Sequence, residues 1–235
     1  MTAVTHGPID WYFDFISPYA YLQWRRVRRD HPELALVPKP VLLAGLLKHW
    51  GQLGPAEIPG KRTHTYRQVL WQARQLDIPL TFPPAHPFNP LPALRLSLAA
   101  TDRVVAVDAI FRHIWEQGHA ADTVEALETM CDQIGVGDVA AAISADTVKL
   151  ELAQNGEKAI ALGIFGVPTL VIDGHLFWGN DATTMALAYL ADGTLFDDEQ
   201  MRRGDTIPAA VQRTVAPRDP ARDAARDAPR DPTRP

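Results

Sequence analysis

The sequence contains little cysteine and no long apolar run. A single cysteine, Cys131, stands among 235 residues, which excludes a disulfide framework, Cys-x-x-Cys redox chemistry and a zinc site built from several thiolates. The longest weakly polar run, residues 159–172, is interrupted by two glycines and a proline, so it is too short and too broken to cross about 30 Å of hydrocarbon. We therefore predict neither a metal site nor a membrane span.

The sequence also lacks an excess of positive charge and a recognisable leader. Lys and Arg number 23 against 28 Asp and Glu, for a formal net charge of -5, so the long-range field of the protein repels polyanions. Nucleic acid is therefore not an expected partner. The first residues read MTAVTHGPIDWYF, without the charged region, apolar core and cleavage site of a secretion signal, and we predict a cytoplasmic protein.

The first forty residues contain a strand, a helix and a second strand by pattern. Residues 9–16 alternate, with Tyr12 and Asp14 on the polar face, as a strand with one buried face requires. Serine is a preferred N-cap and proline suits the first helical position, so Ser17-Pro18 predicts a helix over residues 18–29. A short strand is predicted over residues 34–39.

The remainder divides into a helical block and a second strand region. From residue 41 to about residue 162 the apolar period is helical, with breaks at loops rich in glycine and proline. Strand character returns at residues 168–172, and Asp173-Gly174 is a two-residue hairpin signal that leads into residues 175–178. A last helix is predicted over residues 182–190.

This order of elements predicts an α/β protein with a thioredoxin-like layout. A β-α-β unit is followed by a helical insertion and then by α-β-β-α. An Arg-Asp repeat with proline and alanine ends the sequence and contains no large apolar residue, so it is predicted to be disordered. The expected parts are a thioredoxin-like domain in two segments, an inserted helical domain, a C-terminal extension and the disordered tail, with bounds at residues 8–42 and 145–195, 43–144, 196–216 and 217–235.

Ser17 is the candidate catalytic residue. It stands where a strand delivers a hydroxyl to a helix N-terminus, and backbone N–H groups without intrahelical partners stabilise a nearby anion there, such as a thiolate. The alternative is that Ser17 only caps its own helix, a common use of serine. Asp14, one strand period from Tyr12, lies either on a solvated face or near this site.

Two later segments are candidate binding sites. A cis bond at Val167-Pro168 would leave the Val167 N–H and C=O free for an extended, peptide-like ligand. The alternative is a trans proline at a strand start, which is frequent. Asn180 and Asp181 either cap the last helix or meet the ammonium group of a small ligand. A thioredoxin-like layout brings both segments and Ser17 to one edge.

Several stretches carry a family resemblance that covers about residues 10–190. They are WYFDFISPYAYL, KPVLLAGLLKHWGQLGP, the loop from Ile78-Pro79 through Phe88-Asn89, AIFRHIWEQGHAADT and FGVPTLVIDGHLFWGND. With them the sequence resembles the 2-hydroxychromene-2-carboxylate isomerases, members of the DsbA-like thioredoxin superfamily that are close to kappa-class glutathione transferases. Disulfide oxidoreductases of this superfamily begin the helix with Cys-Pro-x-Cys, where this sequence reads Ser17-Pro18-Tyr19-Ala20, so dithiol exchange through this motif is excluded.

The resemblance implies a glutathione-dependent isomerase that converts 2-hydroxychromene-2-carboxylate to trans-o-hydroxybenzylidenepyruvate in aromatic hydrocarbon catabolism. It implies that Ser17 positions the thiol of glutathione and that Val167, before Pro168, pairs with the glutathione backbone. The glutamyl end of glutathione would be bound by Trp178, Gly179, Asn180 and Asp181. Gly51-Gln52 replaces the Gly-Asn that is common in the family, and Gln52 is a further candidate for contact with glutathione.

The carboxylate of a small aromatic substrate needs a cationic or polar partner. The candidates are Lys39, Lys48 and the loop with His86, Phe88 and Asn89. The alternatives are that both lysines are solvated surface charges and that Asn89 caps a helix beginning at Pro90.

Two other functions fit the same features. One is a kappa-like glutathione transferase or peroxidase that acts on other electrophiles. The other is a non-catalytic, peptide-binding relative that kept the thioredoxin fold after losing its cysteines. The resemblance also implies a homodimer.

Overall fold

Four strands form one mixed sheet in the computed structural model of the protein, which describes residues 7–211. They are β1 (Ile9–Phe13), β2 (Leu36–Pro40), β3 (Thr169–Ile172) and β4 (His175–Trp178), in the order β2-β1-β3-β4 across the sheet. β2 runs parallel to β1, whereas β3 is antiparallel to β1 and β4 to β3. Strands distant in sequence therefore meet at the centre of the sheet.

The helices follow the predicted order along the chain, with one further helix after the predicted last one. One helix joins β1 to β2, a helical insertion lies between β2 and β3, and further helices follow β4. The β-α-β unit, the insertion and the second strand pair confirm the thioredoxin-like α/β fold. The helices are α1 (Pro18–Asp30), α2 (Leu43–His49), α3 (Pro59–Gln75), α4 (Leu91–Ala99), α5 (Arg103–Phe111), α6 (Val124–Glu128), α7 (Cys131–Ile134), α8 (Val139–Ser144), α9 (Asp146–Ala161), α10 (Thr183–Ala191) and α11 (Glu199–Thr206), with a 3-10 turn at Pro55–Glu57 and a π-helical turn at Arg112–Glu116.

β1 is buried on both faces, which the alternation in the sequence did not predict. Tyr12, assigned to the polar face, is fully buried and packs with Leu46 of α2 and Ala159 of α9. The strand also ends at Phe13, earlier than the predicted residue 16. It ends there because the Asp14 carboxylate and carbonyl accept the N–H groups of the next residues and turn the chain.

The hairpin between β3 and β4 forms as predicted. Asp173 and Gly174 have φ values of +50° and +84°, which is the conformation of a type I′ turn. Ile172 pairs with His175, and Thr169 pairs with Trp178. This register places the end of β4 beside the start of β3.

A cluster of aromatic side chains fills the space between the sheet and α1. Trp11 stacks on Phe13 with ring centroids 4.5 Å apart and on Trp24 at 5.0 Å. Phe15 lies 4.7 Å from Phe111 of α5, and all of these side chains are fully buried. Aromatic packing of this kind fixes the direction in which β1 enters the turn before α1.

The chain divides into two compact units, with the boundary between Gly193 and Thr194. The sheet and α1 to α10 belong to the first unit, and α11 belongs to the second. No helix within residues 7–211 is long and apolar enough to cross a membrane. The domain bounds given above stay predictions, and the repeat over residues 217–235 lies outside the described residues.

Trp115 of the π-helical turn connects the insertion to the chain after β1. It is fully buried, and its Nε1 donates to the Phe15 carbonyl (2.8 Å). We expect Trp115→Phe to lower the free energy of unfolding by about 1–3 kcal/mol, because the buried carbonyl loses its donor. Urea titration measures this loss.

The matched control is Trp71→Phe on α3. The Trp71 side chain is 60% exposed, so its replacement should change the free energy of unfolding by less than about 0.5 kcal/mol. Losses of similar size in the two variants would contradict the role of the Trp115 indole.

Candidate active site

Ser17 closes a tight turn between β1 and α1. Its backbone N–H donates to the Asp14 carbonyl (3.0 Å), and it is the N-cap of α1, with Pro18 as the first helical residue. The capping alternative is observed, since Ser17 Oγ accepts a hydrogen bond from Ala20 N–H (3.2 Å). That bond occupies a lone pair and leaves the hydroxyl proton able to donate to a ligand. The first turn of α1 contains no acidic side chain, so the positive helix end stays available to an anion.

Two side chains from the helical insertion hold the carbonyl groups of this turn. Trp115 donates to the Phe15 carbonyl, as described above, and His86 Nε2 lies 2.8 Å from the Ile16 carbonyl. A carbonyl only accepts, so Nε2 carries a proton, and the Tyr66 hydroxyl lies 2.7 Å from Nδ1 and 2.9 Å from the His86 carbonyl. Burial lowers the pKa of His86, which favours the neutral imidazole. His86 therefore contacts the turn next to Ser17.

Asp14 lies beneath the turn and is fully buried. Its Oδ1 accepts from Ile16 N–H (3.0 Å) and its Oδ2 from Leu43 N–H at the start of α2 (2.8 Å). Burial raises the pKa of Asp14 to about 7, although these two hydrogen bonds act in the opposite direction. The solvated alternative is therefore wrong, and Asp14 lies against the Ser17 turn.

The segment before β3 offers free backbone groups. The Val167–Pro168 peptide bond is cis, which is the first of the two alternatives given above. Within residues 7–211, neither the N–H nor the C=O of Val167 has a hydrogen-bond partner. The Pro168 carbonyl accepts from Gly179 N–H (2.8 Å), and this bond joins the segment to the chain after β4.

Residues 178–181 connect β4 to α10. Gly179 has a φ of +94°, and a side chain there would collide with the Asp181 carboxylate, so the position requires glycine. Its carbonyl accepts from Gln23 Nε2 of α1 (3.0 Å). The half-exposed Trp178 ring lies 4.9 Å from the ring of Phe165, edge to face. The segment is thus tied to the same helix that Ser17 begins.

Asn180 and Asp181 do not cap α10 with their side chains, so the capping alternative is wrong. The N-cap is Ala182, without a side-chain hydrogen bond, and Asn180 Nδ2 donates instead to Gln72 Oε1 of α3 (3.1 Å). Asn180 is only 5% exposed, and its Oδ1 has no partner within residues 7–211. An unpaired buried acceptor costs about 1–3 kcal/mol, so this oxygen is a candidate acceptor for a ligand.

Helix α3 also reaches the site, which the sequence did not indicate. The Tyr19 hydroxyl of α1 donates to Gln68 Oε1 (2.8 Å), one helical turn from Gln72. Burial, with a smaller contribution from the Asp181 carboxylate, raises the pKa of Tyr19 to about 12. The only signal for the two glutamines was their spacing of four residues, which places them on one helix face. Such a spacing is too common to single them out.

Phe88 and Asn89 follow His86 in the loop before α4. The Phe88 ring lies 6.1 Å from the His86 ring and 6.5 Å from the Trp115 ring. The capping alternative is observed for Asn89, whose Oδ1 accepts from Leu91 N–H at the start of α4 (3.2 Å). The half-buried Phe88 ring therefore lies near the two side chains that bond to the carbonyls of the Ser17 turn.

Three other candidates lie apart from these contacts. Lys39 Nζ is 3.7 Å from the Asp10 carboxylate, and Lys48 is exposed in the last turn of α2. The Gln52 side chain is also exposed. Among residues 7–211, none of the three hydrogen-bonds to the Ser17 turn, so their roles in binding stay predictions.

Asp14 should make the stability of the protein depend on pH. Its folded pKa of about 7 exceeds the usual 3.8, so the folded state binds the extra proton between these values. The free energy of unfolding therefore falls as the pH rises from about 4 to about 7. Between about pH 5 and about pH 7, wild type should lose roughly 1 kcal/mol per pH unit more than Asp14→Asn, as measured by urea titration.

Other titrating groups contribute equally to both proteins in this comparison. Burial lowers the pKa values of His86 and His113, so these groups make the free energy of unfolding rise with pH. Their effect cancels when the variant is subtracted from wild type. The same pH dependence in wild type and variant would contradict the raised pKa of Asp14.

Known proteins are similar to this chain in sequence. A family model for the DSBA-like thioredoxin domain matches residues 8–191. The 2-hydroxychromene-2-carboxylate isomerase of Sphingobium xenophagum is 26% identical over 196 residues, which cover 78% of this chain and 98% of the relative. Glutathione S-transferase kappa 1 of Rattus norvegicus is 25% identical over 203 residues, which cover 77% of this chain and 89% of the relative.

A solved structure gives the same fold. It is that of a 2-hydroxychromene-2-carboxylate isomerase, with a TM-score of 0.71 and 23% identity, and it covers 86% of this chain and 100% of its own. At this identity the likeness establishes the fold alone. Because the family model spans most of the chain, this protein belongs to the DSBA-like thioredoxin domain family, among relatives named isomerases and transferases.

Proposed function

We propose that this protein is a glutathione-dependent isomerase that converts 2-hydroxychromene-2-carboxylate to trans-o-hydroxybenzylidenepyruvate in aromatic hydrocarbon catabolism. The main support is the Ser17 hydroxyl, held at the N-terminus of α1 where disulfide oxidoreductases of the superfamily carry a cysteine. The chain contains one cysteine, Cys131, and it lies on α7 of the insertion. A thiol at Ser17 must therefore come from a ligand, and the names of the relatives point to glutathione.

The residues around Ser17 fit glutathione. Its glutamyl ammonium group would donate to the unpaired Oδ1 of Asn180 and lie near the Asp181 carboxylate, beside Trp178 and Gly179. Its peptide groups would pair with the free N–H and C=O of Val167, before Pro168. Gln52 is a further candidate contact. These are the donors and acceptors that an extended, zwitterionic peptide needs.

Glutathione, when bound, supplies a thiolate that adds to a conjugated carbon of the substrate, makes a double bond rotatable and leaves unchanged. A free thiol has a pKa of about 8.5, so little of it is ionised at neutral pH without help. Ser17 would donate its hydroxyl proton to the sulfur and orient it, while the N-terminus of α1 stabilises the negative charge. Ser17 is not a nucleophile itself, because Oγ is bonded to Ala20 N–H and to no base among the described residues.

The substrate would lie on the side of the helical insertion. Its aromatic ring would pack against Phe88, beside His86 and Asn89. Its carboxylate would meet Lys48 in preference to Lys39. Lys48 forms no ion pair among residues 7–211, whereas Lys39 is paired with Asp10.

We further propose a cytoplasmic homodimer without nucleic acid or membrane partners. The dimer is supported by the family resemblance. The absence of polyanion binding is supported by the net charge of -5.

The proposal is tested by following the ultraviolet absorbance of 2-hydroxychromene-2-carboxylate with the protein, with and without glutathione. We expect rapid conversion only when glutathione is present. Conversion of other electrophiles alone would instead indicate a kappa-like transferase or peroxidase. Binding of extended peptides without any turnover would indicate a non-catalytic relative, and conversion without glutathione would overturn the proposal.

Ser17→Ala should lower kcat/KM for the isomerisation by about ten- to a hundredfold. The reason is that a hydrogen bond to a charged partner contributes about 1.5–3 kcal/mol. Ser97→Ala is the matched control, because the buried Ser97 hydroxyl donates to the Leu94 carbonyl within α4 (2.8 Å). Equal rates for Ser17→Ala and wild type would remove Ser17 from the mechanism.

Asn180→Ala should raise the Kd of glutathione about tenfold or more, since an acceptor for an ammonium group is lost. Calorimetric titration measures the Kd, and Asn155→Ala, which loses only a bond to the Pro40 carbonyl, should leave it unchanged. A glutathione analogue without the glutamyl amine should bind wild type and Asn180→Ala equally weakly. If the analogue still distinguishes the two proteins, Asn180 does not bind the amine.

A further inference from the structure

One buried carboxylate connects two elements of the site. Asp14 Oδ1 accepts from Ile16 N–H, in the turn that precedes Ser17, and Asp14 Oδ2 accepts from Leu43 N–H, the first residue of α2 (3.0 and 2.8 Å). Its side chain is fully buried. The two bonds join the sheet end that bears Ser17 to the first helix of the insertion.

Both partners of this carboxylate are donors. An ionised carboxylate accepts at both oxygens, whereas a neutral carboxyl group has one oxygen that carries a proton. That proton would have to point away from the N–H group that its oxygen faces. The two N–H donors, Ile16 and Leu43, therefore favour the ionised form of Asp14, in which both oxygens accept without a proton of their own.

No positive charge compensates the ionised form. Among residues 7–211, Asp14 forms no ion pair. The charged or titratable groups of the surrounding elements either bond to other partners or lie far along their element from Asp14. These groups are Asp10 and Tyr12 of β1, Lys39 of β2, Lys48 and His49 at the far end of α2, and His86, which bonds the Ile16 carbonyl. Burial alone opposes ionisation and raises the pKa of Asp14 to about 7.

We propose that Asp14 is a positioning residue whose ionisation holds the Ser17 turn against the start of α2 and thereby orders the thiol site. Ionisation disfavours folding, because a charge is buried, and favours the ordered turn. As the pH rises through neutrality, the site therefore becomes ordered while the free energy of unfolding falls. For its activity readout, this inference rests on the proposed function.

The first experiment needs no ligand. NMR of the full chain gives the carboxyl titration of Asp14 and the amide hydrogen exchange of Ile16 and Leu43. Between about pH 6 and about pH 8 the ionised fraction of a group with this pKa rises about tenfold. Exchange protection of both amides, relative to intrinsic rates, should increase by a similar factor in wild type.

Variants of two aspartates on or next to β1 make the comparison specific. Asp10→Asn, at a half-buried position paired with Lys39, should keep the pH-dependent protection, and Asp14→Asn should lack it. If Asp14→Asn does not fold, the wild-type titration decides alone. The inference is overturned if Ile16 and Leu43 are equally protected at both pH values, or if they change at a pH where Asp14 does not titrate.

The second experiment measures kcat/KM with glutathione over the same pH range. Ionisation of the thiol affects all variants alike, so the ratio of wild type to Asp14→Asn isolates the carboxylate. This ratio should rise about tenfold between about pH 6 and about pH 8, whereas a merely structural role would give a constant ratio. A constant ratio overturns the inference. Absence of turnover in every variant overturns the proposed function, and amide exchange still decides the role of Asp14.

Discussion

The turn from Asp14 to Ser17 is the constraint on which the site depends. Two of its N–H groups donate to the Asp14 carboxylate and carbonyl, and two of its carbonyls accept from Trp115 and His86. These bonds lie in a largely buried region, where an unpaired polar group costs about 1–3 kcal/mol. The turn cannot shift without breaking several of them, so it fixes the direction of the Ser17 hydroxyl and the N-terminus of α1.

A second buried amide brings the other half of the site to this turn. Gln23 Oε1 accepts from Trp11 Nε1 (2.7 Å), and its Nε2 donates to the Gly179 carbonyl and to Thr183 Oγ1. One side chain thus joins the first strand, the first helix and the segment before α10. This connection positions Asn180, and Gln72 of α3 accepts a hydrogen bond from the Asn180 side chain.

Elements that depend on neighbouring residues could be predicted from the sequence, whereas long-range contacts could not. Ser17-Pro18 begins α1 as predicted, because an N-cap and a first-turn proline act within a few residues. Tyr12 appeared polar-facing because alternation does not indicate that helices cover both faces of β1. Gln68 and Gln72 were missed, since their partners lie 49 and 108 residues away in sequence. Contacts over such distances depend on the tertiary fold of the insertion.

The proposed function requires that this turn and helix end hold the thiol of a bound ligand as a thiolate. The most direct measurement is the ultraviolet absorbance of the thiolate of glutathione, titrated with pH in the presence of wild type and of Ser17→Ala. We expect the pKa of the bound thiol to lie below the value of about 8.5 for a free thiol and to return towards it in Ser17→Ala. A bound thiol that titrates like free glutathione in wild type would contradict the proposed role of Ser17 and the N-terminus of α1.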